Sequence, residues 1–331
     1  MPSRSETRSI DAFLTTTLAE YGRTLHDNIF DDVPLLSYLN GKLGKALAGR
    51  GPDSQIKKVL NGGERIIEPL LYGRNSTVDS YSGSEMLDTT LQDGITNAAY
   101  DWAQYSVAIG IEGIQKRNNK GRHALVNLLQ AKTTQAEMTI QERLNSDAYK
   151  DGTGNNSKNI LGLGGHISTT ATTGGLAPAT HTWWKSEVTG SVGAFASNGI
   201  SKMRTMTNTL TIGNISPDMI ITTQDIYEAF ENDITDQRRY TDSKVGDVGF
   251  ENLVFKNQPI IFDRDCTSGY MYFLNRRYMK WCVHAEADLK MAEPGFQTPI
   301  GQDVSTALIL FQGNMTVNNR RRLGVLTGIT T

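Results

Sequence analysis

The most regular pattern in the chain is a helical one between residues 122 and 150. Apolar residues recur there at intervals of three and four, and Gln, Glu and Lys occupy the other side. At a rise of about 1.5 Å per residue, Arg122 to Lys150 predicts a rod about 43 Å long, which Asp151-Gly152 ends. Its apolar stripe is narrow, so we expect much of the rod to lie on a surface or between subunits. The stripe comprises Leu125, Leu128, Leu129, Ala136, Ile140, Leu144 and Ala148.

Ahead of the rod, the pattern predicts a two-stranded projection. Residues 66–71 are mostly apolar but include Pro69, which a sheet tolerates only at an edge or a bulge. Residues 73–84 are polar and rich in turn formers. Residues 95–109 show enough alternation and aromatic content for one long strand, although their alanines also allow a helix. We therefore expect a hairpin whose second strand continues into the body of the protein.

The two flanks differ in character. Residues 1–60 lack a sustained period and predict an arm with short helices around 9–18 and 34–46, docked on something else. After a Gly/Asn/Ser-rich connector at 151–158 the pattern becomes mixed α and β. It predicts a helix around 200–210 that stops near Gly213, a strand at 219–221 leading into a helix capped by Thr222 or Thr223, and strands at 253–255, 260–262, 270–274, 278–284, 307–311 and 323–329.

Charge is unevenly placed along a chain whose net charge is only -2, which excludes a generally basic nucleic-acid-coating protein. Between Gly62 and Gly94, six acidic and two basic residues give -4. Between Ile114 and Gly152, seven basic and four acidic residues give +3. An acidic projection is thus followed directly by a basic element.

Composition narrows the class of protein further. The apolar share is 38% and glycines number 32, so much polar surface has to be placed, as in extended arms or wet interfaces. No apolar run approaches the roughly 20 residues that span a bilayer, and the first residues lack the apolar core of a signal peptide. We therefore expect no membrane partner and cytoplasmic folding. Cys266 and Cys282 are expected to be ordinary reduced thiols.

Candidate chemistry is sparse. The glycine-rich stretch 161–166 lacks the Lys-Ser/Thr of a P-loop, so we interpret it as a flexible connection. The five histidines show no metal-ligand spacing, no nucleophile motif is legible, and no cofactor is expected. Asp263 and Asp265 could form a carboxylate pair, but solvated turn residues are the favoured interpretation.

Two further clusters have both a structural and a functional interpretation. Trp183-Trp184 forms either a surface aromatic patch or core and edge packing, and packing is favoured because aromatic residues dominate core burial. The run Arg320-Arg321-Arg322 could contact phosphate or a neighbouring carboxylate, yet a solvated run is favoured.

The order of these parts resembles the major capsid protein family of tailed phages, which has the Hong Kong 97-type fold. Asp151-Gly152 before Ile160-Leu161-Gly162-Leu163 looks like that family's transition from spine helix to axial domain. Residues 217–222 with Tyr227 are similar to its strand-then-helix, and residues 255–263 and 269–275 to its paired strands. The match covers about Gly62 to Gly328, and its specificity lies in the order of the motifs.

The resemblance implies an α+β fold divided into six stretches. These are an N-terminal arm at 1–61, an E-loop hairpin at 62–94, a peripheral domain with the spine helix at 95–155, an axial domain at 156–284, a peripheral return at 285–316 and an axial C-terminal segment at 317–331. It also implies a non-enzymatic phage major capsid protein that assembles in the host cytoplasm into pentamers and hexamers of an icosahedral virion shell around double-stranded DNA. Portal, decoration and scaffolding proteins are implied partners.

The chain differs from some members of that family in two features, and two other functions remain as alternatives. Some family members cross-link through an E-loop lysine, and residues 62–94 contain no lysine, so no such cross-linking is expected. About 60 residues precede the hairpin, which favours a separate scaffolding protein over a fused one. An encapsulin-like nanocompartment shares the fold and remains an alternative, as does, remotely, a cytoplasmic enzyme with a convergent site.

The charge asymmetry yields one hypothesis about assembly. The E-loop of one copy is expected to lie over the basic region of a neighbour, so that weak exposed ion pairs set register and orientation. The residues expected on the E-loop are Glu64, Ile66, Glu68, Leu70, Asp79, Glu85, Met86 and Asp88, and those on the neighbour are Lys116, Arg117, Lys120, Arg122 and Lys132.

Overall fold

The computed structural model describes residues 33–40, 56–118, 122–235 and 253–331. Its helices are α1 (Pro34–Leu39), α2 (Gly113–Asn118), α3 (Arg122–Ala148), α4 (Leu163–His166), α5 (Phe195–Leu210) and α6 (Gln224–Thr235). Gly154–Ser157 forms one further turn, in which Asn155 and Asn156 have positive φ. Its strands are β1 (Lys57–Leu60), β2 (Ile66–Leu71), β3 (Ile95–Tyr100), β4 (Ala103–Glu112), β5 (Glu187–Thr189), β6 (Gly193–Ala194), β7 (Met219–Thr222), β8 (Leu253–Phe255), β9 (Gln258–Phe262), β10 (Met271–Leu274), β11 (Met279–Met291), β12 (Val304–Val317), β13 (Gly324–Leu326) and β14 (Ile329–Thr330). A 3₁₀ turn, Arg320–Arg322, precedes β13.

A four-stranded sheet in the order β1-β11-β12-β4 forms one half of the body. β1 runs parallel to β11, and the other pairs are antiparallel. Successive side chains of a strand point to opposite faces. Trp281 and Val283 of β11 therefore join the largest core cluster, which includes Ile140 and Leu144 of α3, whereas Cys282 belongs to a smaller cluster on the other face. That second face carries the base of the projection.

A six-stranded sheet in the order β5-β13-β10-β7-β9-β8 forms the other half. Met219 and Ile221 of β7 face the largest core cluster, and Ile220 between them faces a second cluster. That second cluster also contains Met203 of α5 and Phe230 of α6. The two helices thus cover one face of the sheet, and the other face packs toward the first half of the body.

Most of the predicted elements are confirmed, with shifted ends. The rod is α3, in which Ala136, Ile140, Leu144 and Ala148 are buried. The side chains of Leu125, Leu128 and Leu129 lie outside the described residues. The helix predicted around 200–210 is α5, and the strand at 219–221 is β7, followed by α6 after Thr223. The final strands run longer than predicted, because β11 and β12 pair over most of their length.

The single strand predicted over 95–109 was wrong. The chain breaks at Asp101 and Trp102, and the two halves serve different sheets, because β3 pairs only with β2 while β4 pairs with β12. Alternation persists through both strands, so periodicity could not mark the change of partner. The paired part of the hairpin is shorter than predicted, because residues 74–93, between β2 and β3, contain no strand.

Part of the predicted arm belongs to the core of its own chain. In α1, Leu35, Leu36, Tyr38 and Leu39 are each at most 3% exposed and join the largest cluster. The predicted helix at 9–18 and the remainder of 34–46 beyond Asn40 lie outside the described residues. The expectation of an arm docked on something else is therefore wrong for residues 33–40, which pack into the core of their own chain.

The glycine-rich stretch 161–166 is a close-packed contact, which corrects its interpretation as a flexible connection. A Cβ at Gly162 would stand 2.4 Å from the Ala148 carbonyl oxygen, and one at Gly164 would stand 3.0 Å from the Tyr149 carbonyl oxygen. The stretch lies against the end of α3, where Gly162 and Gly164 leave no room for a side chain. Glycine is needed here for close approach of two backbones.

Two predicted surface groups are also buried. Asp263 is 2% exposed, and its carboxylate accepts hydrogen bonds from the Tyr149 hydroxyl at 2.8 Å and the Asn145 side-chain amide at 3.2 Å. Asp265 accepts from the same amide at 2.7 Å. Arg320 is fully buried, which corrects its assignment to a solvated run. Both residues can be buried because their polar atoms are hydrogen-bonded, and no local sequence pattern reveals those partners.

Candidate assembly surface

The most exposed apolar part of the described chain is the projection, defined here as residues 62–100. It consists of a two-stranded base, β2 and β3, and a distal segment, residues 73–93. The base pairs in antiparallel register from Ile66 opposite Tyr100 to Leu71 opposite Ile95. At its outer end Gly73 and Gly94 cross so closely that a Cβ at Gly73 would stand 3.0 Å from the Gly94 Cα.

The inner face of the base is docked on the body. Ile66, Leu70, Ala98 and Tyr100 pack with Leu176, Trp184 and Cys282. The Tyr100 hydroxyl donates to the Val317 carbonyl at 2.8 Å, and burial raises the pKa of Tyr100. The Ala99 amide donates to the Gly174 carbonyl at 3.0 Å. The direction of the projection is thus set by contacts within the chain.

Aromatic side chains extend this docking to the rim. Tyr72 stacks on Trp183 with ring centroids 5.3 Å apart, and Trp183 meets Trp184 edge to face. Trp184 is 1% exposed, and its indole nitrogen donates to the Thr173 carbonyl at 2.9 Å. The Trp183-Trp184 pair therefore packs, as favoured from the sequence.

The outer face and the distal segment leave large apolar side chains in solvent. Met86 and Leu91 are at least 97% exposed. Of the sixteen large apolar residues found exposed in the described part of the chain, nine lie in the projection. They are Ile67, Leu71, Tyr72, Val78, Tyr81, Met86, Leu87, Leu91 and Ile95. Apolar side chains concentrated on one arm mark an interaction site, since scattered single exposures would need no explanation.

Local turns organise the acidic residues of the distal segment. The Asp88 carboxylate accepts hydrogen bonds from the Thr90 amide and hydroxyl, which lower the pKa of Asp88. Glu85 accepts from the Ser82 amide at 3.1 Å. Ser76 donates to Gln92 at 3.1 Å across the loop. Asp79, Glu85 and Asp88 are exposed and present negative charge beside Met86.

Three residues expected to reach a neighbour face their own chain. Ile66, Glu68 and Leu70 are at most 5% exposed, because alternation along β2 points them toward the body. Glu68 forms ion pairs within the chain, with Lys280 at 2.6 Å and Lys58 at 3.7 Å. These three residues are removed from the expected contact set, whereas Glu64 stays exposed.

Two of the basic residues expected on the neighbour already bind groups of their own chain. Arg117 pairs with Asp303 at 2.7 Å. The Lys132 ammonium donates to the Gly110 carbonyl at 2.7 Å and to the Gln115 side chain at 3.2 Å. Lys116 is exposed on α2, close in sequence to the exposed Ile114. Lys120 and the side chain of Arg122 lie outside the described residues.

Catalytic or metal chemistry finds little support in the described ranges. No cluster of three or more His, Cys, Asp or Glu side chains there could hold a metal ion. His166 is fully buried, and burial followed by the nearby Arg320 cation lowers its pKa to about 3. Burial raises the pKa of the Cys266 thiol. Among the described helices, none is long and apolar enough to cross a membrane.

Comparisons by sequence find no match, whereas comparisons by structure find phage capsids and an encapsulin. No family model and no curated protein matches the chain. The capsid protein of cyanophage A-1(L) superimposes with a TM-score of 0.64 at 15% identity, covering 93% of this chain and 96% of that one. The capsid of Myoviridae phage XM1 gives 0.53 at 13% identity, covering 94% and 98%. The SrpI encapsulin of Synechococcus elongatus gives 0.54 at 12% identity, covering 93% and 96%.

The agreement extends over nearly the whole of both chains in each of these comparisons. At these identities it is the fold that is shared, and a fold can serve several functions. The chain has the Hong Kong 97-type fold of tailed-phage capsid proteins.

Proposed function

We propose that this chain is a shell-forming structural protein that assembles with copies of itself. The observation that carries the proposal is the capsid fold combined with a projection that exposes nine large apolar residues. An arm of that composition gains by covering its apolar surface, at about 25 cal/mol for each Å² removed from water. Repeated around a closed shell, modest contacts suffice.

In full, we propose that the chain is the major capsid protein of a tailed phage. Copies form pentamers and hexamers of an icosahedral virion shell that encloses double-stranded DNA, and assembly takes place in the host cytoplasm. A separate scaffolding protein, a portal and a decoration protein are the proposed partners, and no enzymatic activity or cofactor is proposed. The division into arm, E-loop, peripheral and axial parts is kept as a proposal, with the reservation that β11 runs unbroken through the boundary at 284–285.

The proposed contact between copies places the distal segment over the α2 region of a neighbour. Met86, Leu87 and Leu91 supply the apolar part, and Glu85 and Asp88 supply negative charge. Lys116 and Arg117 supply the opposite charge, and Ile114 is 52% exposed beside them. Exposed pairs of this kind contribute about 0 to 1 kcal/mol each, so burial drives the contact and charge orients it.

The test replaces the two most exposed apolar residues of the distal segment, Met86 and Leu91, by Ser. Purified chain is examined by electron microscopy and by sedimentation velocity. The parent is expected to form closed shells, and M86S/L91S is expected to stay as small oligomers with an unchanged unfolding transition. The matched control is I300S, since Ile300 is as exposed as Met86 and lies outside the projection. A parent that sediments only as small oligomers under every condition, or shells of M86S/L91S equal in yield to the parent, would overturn the proposal.

An encapsulin-like compartment is the second candidate, favoured by the structural likeness to the SrpI encapsulin. The contents of the shells distinguish the two candidate functions. Shells isolated from the native source are expected to hold nuclease-protected double-stranded DNA if the chain is a phage capsid protein. Shells that hold a single enzyme and no protected DNA would instead establish the compartment.

A further inference from the structure

A buried charge lies at the base of the projection, at a position where strand alternation leads one to expect an apolar residue. β2 turns Ile66, Glu68 and Leu70 toward the body. The Glu68 side chain is only 4% exposed. Carboxylates are rarely buried to this degree unless they are paired.

Two lysines from different strands hold this carboxylate. The Lys280 ammonium of β11 stands 2.6 Å from Glu68 Oε2 and donates a hydrogen bond to it. The Lys58 ammonium of β1 stands 3.7 Å from Oε1, an ion-pair distance that leaves this oxygen without a hydrogen bond from the described residues. The lysines are 31% and 43% exposed, so they reach the carboxylate from the solvent side.

The lysines share one face of the four-stranded sheet. Lys58 pairs with Cys282, and Lys280 lies two residues before Cys282 on the same strand. The Cys282 thiol lies inside the cluster. Burial raises the pKa of Cys282, the Thr316 hydroxyl opposes this, Glu68 adds to it and both lysines reduce it. One charge from the projection therefore meets two charges that the body presents on a single face.

Stability does not account for this arrangement. A buried ion pair is often no better for stability than apolar residues of the same volume. A role in setting the direction of the projection does account for it, because the Glu68 carboxylate is paired only at the point where both ammonium groups can reach it. Shifting β2 by one residue would turn Glu68 into solvent and bring Ile67 against the lysines. The same shift would expose Ile66 and Leu70, but their apolar contacts are non-directional and would tolerate a small change of angle far better than the ion pairs would.

We propose that Glu68, held by Lys280 and Lys58, is a positioning residue that fixes the direction in which the projection leaves the four-stranded sheet. Its consequence for shells rests on the proposed function, whereas the clamp itself is measurable in the unassembled chain. In a shell, every copy would have to present its distal segment at the same angle. A looser base would give shells of mixed diameter.

The test measures the angle directly by double electron–electron resonance on unassembled chain. Spin labels are attached at I95C on β3 and I212C on the body, two exposed positions, while the buried Cys266 and Cys282 are shielded from labelling. E68M keeps apolar volume at the base and removes the charge. The distance distribution is expected to widen at least twofold, with the unfolding transition not lowered. E64M, at an exposed residue just before β2, is the matched control and is expected to keep the parent distribution.

Two further variants keep the result decisive. K280M removes the closer partner and is expected to widen the distribution even if E68M fails to fold. The charge swap E68K/K280E is expected to return the width to within a quarter of the parent value. A parent-like distribution in folded E68M or K280M, or a folded charge swap that stays wide, would overturn the clamp. Absence of shells from the parent would count against the proposed function alone.

Discussion

At the scale of single residues, the unexpected feature is how many polar side chains are structural. The guanidinium of Arg320 donates to five backbone carbonyls. These belong to Gly165, His166, Ser168, Ala171 and Trp184. No carboxylate of the described residues pairs with it, so the cation holds the loop that follows α4 through backbone carbonyls alone. The guanidinium also lies over the Trp184 ring at 5.9 Å.

Replacing Arg320 by Met is therefore expected to destabilise the chain strongly. Five carbonyls lose a donor, of which those of Gly165, His166 and Ser168 keep another, and each buried acceptor left unpaired costs about 1–3 kcal/mol, partly recovered by water. We expect a loss of about 3 kcal/mol or more in the free energy of unfolding, measured by urea titration. R321M, at an exposed neighbour, is expected to change stability by less than about 0.5 kcal/mol. Equal effects of the two substitutions would contradict the role assigned to Arg320.

His166 is expected to make stability depend on pH. Its Nε2 lies 3.0 Å from the Met315 carbonyl, so the neutral ring donates there, and the pKa is lowered to about 3 by burial and then by Arg320. The unfolded ring has a pKa of about 6.5 and takes up a proton on unfolding. The contribution of the neutral ring is thus complete above about pH 6.5 and falls by about 1.4 kcal/mol per pH unit below it, down to about pH 3.

The measurement compares the parent with H166Q between pH 7 and pH 5. Gln can still donate to Met315 but takes up no proton, so its stability is expected to fall by about 2 kcal/mol less over this interval. H181Q, at a partly exposed ring, is expected to follow the parent. Parallel stability curves for the parent and H166Q would show that the ring at 166 is charged in the folded chain.

At the scale of elements, α1 joins the two halves of the body. The Leu36 amide donates to the Asn145 side chain of α3 at 3.2 Å, and the Tyr38 hydroxyl donates to Asp218 at 2.7 Å. Asp218 also pairs with Arg276 at 3.0 Å. Burial is the main cause that raises the pKa of Asp218. A six-residue helix of this kind has negligible stability alone and is held by its socket.

L36A is expected to lower the free energy of unfolding by about 2–4 kcal/mol, because it empties part of a fully packed core. S37A, one residue along and only half-buried, is expected to cost less than about 0.5 kcal/mol. Chemical denaturation monitored by tryptophan fluorescence measures both. If the residues are instead a loosely attached arm, the two variants will unfold at the same denaturant concentration.

At the scale of the whole molecule, the acidic projection and the basic region should find each other between copies. The charge-reversal variant is best made at Glu85 and Asp93, since Asp88 closes a local turn with two hydrogen bonds from Thr90, whereas Glu85 accepts only one, from the Ser82 amide. E85K/D93K is expected to reduce shell yield at low salt. The difference should shrink at about 1 M salt, where the Debye length is about 3 Å.

Sedimentation across salt concentrations measures this effect. The control E286K/D225K makes the same change in net charge at exposed positions outside the projection. It is expected to leave the salt dependence of assembly unaltered. Unchanged assembly of E85K/D93K at low salt would defeat the pairing of the distal segment with the basic region.

The sequence by itself determined the elements whose signal is local. The rod, α5, β7 with α6 and the late strands follow from periodicity and turn residues, and the order of these parts indicated the capsid fold. The location of an acidic projection was also legible, because charge along the chain needs no folding to be counted. Arg320, Asp263 and Asn145 gave no signal, since a polar residue in sequence looks the same whether water or five carbonyls satisfy it.

Only the tertiary structure decided which side of each element faces the body. It turned Ile66, Glu68 and Leu70 inward, placed Lys58 and Lys280 beneath them, and drew α1 out of the predicted arm into the core. It also split residues 95–109 between two sheets. The physical reason is common to all of these, because partners in other elements, near or far along the chain, are chosen by packing and by satisfaction of buried charge, and neither leaves a mark on local spacing.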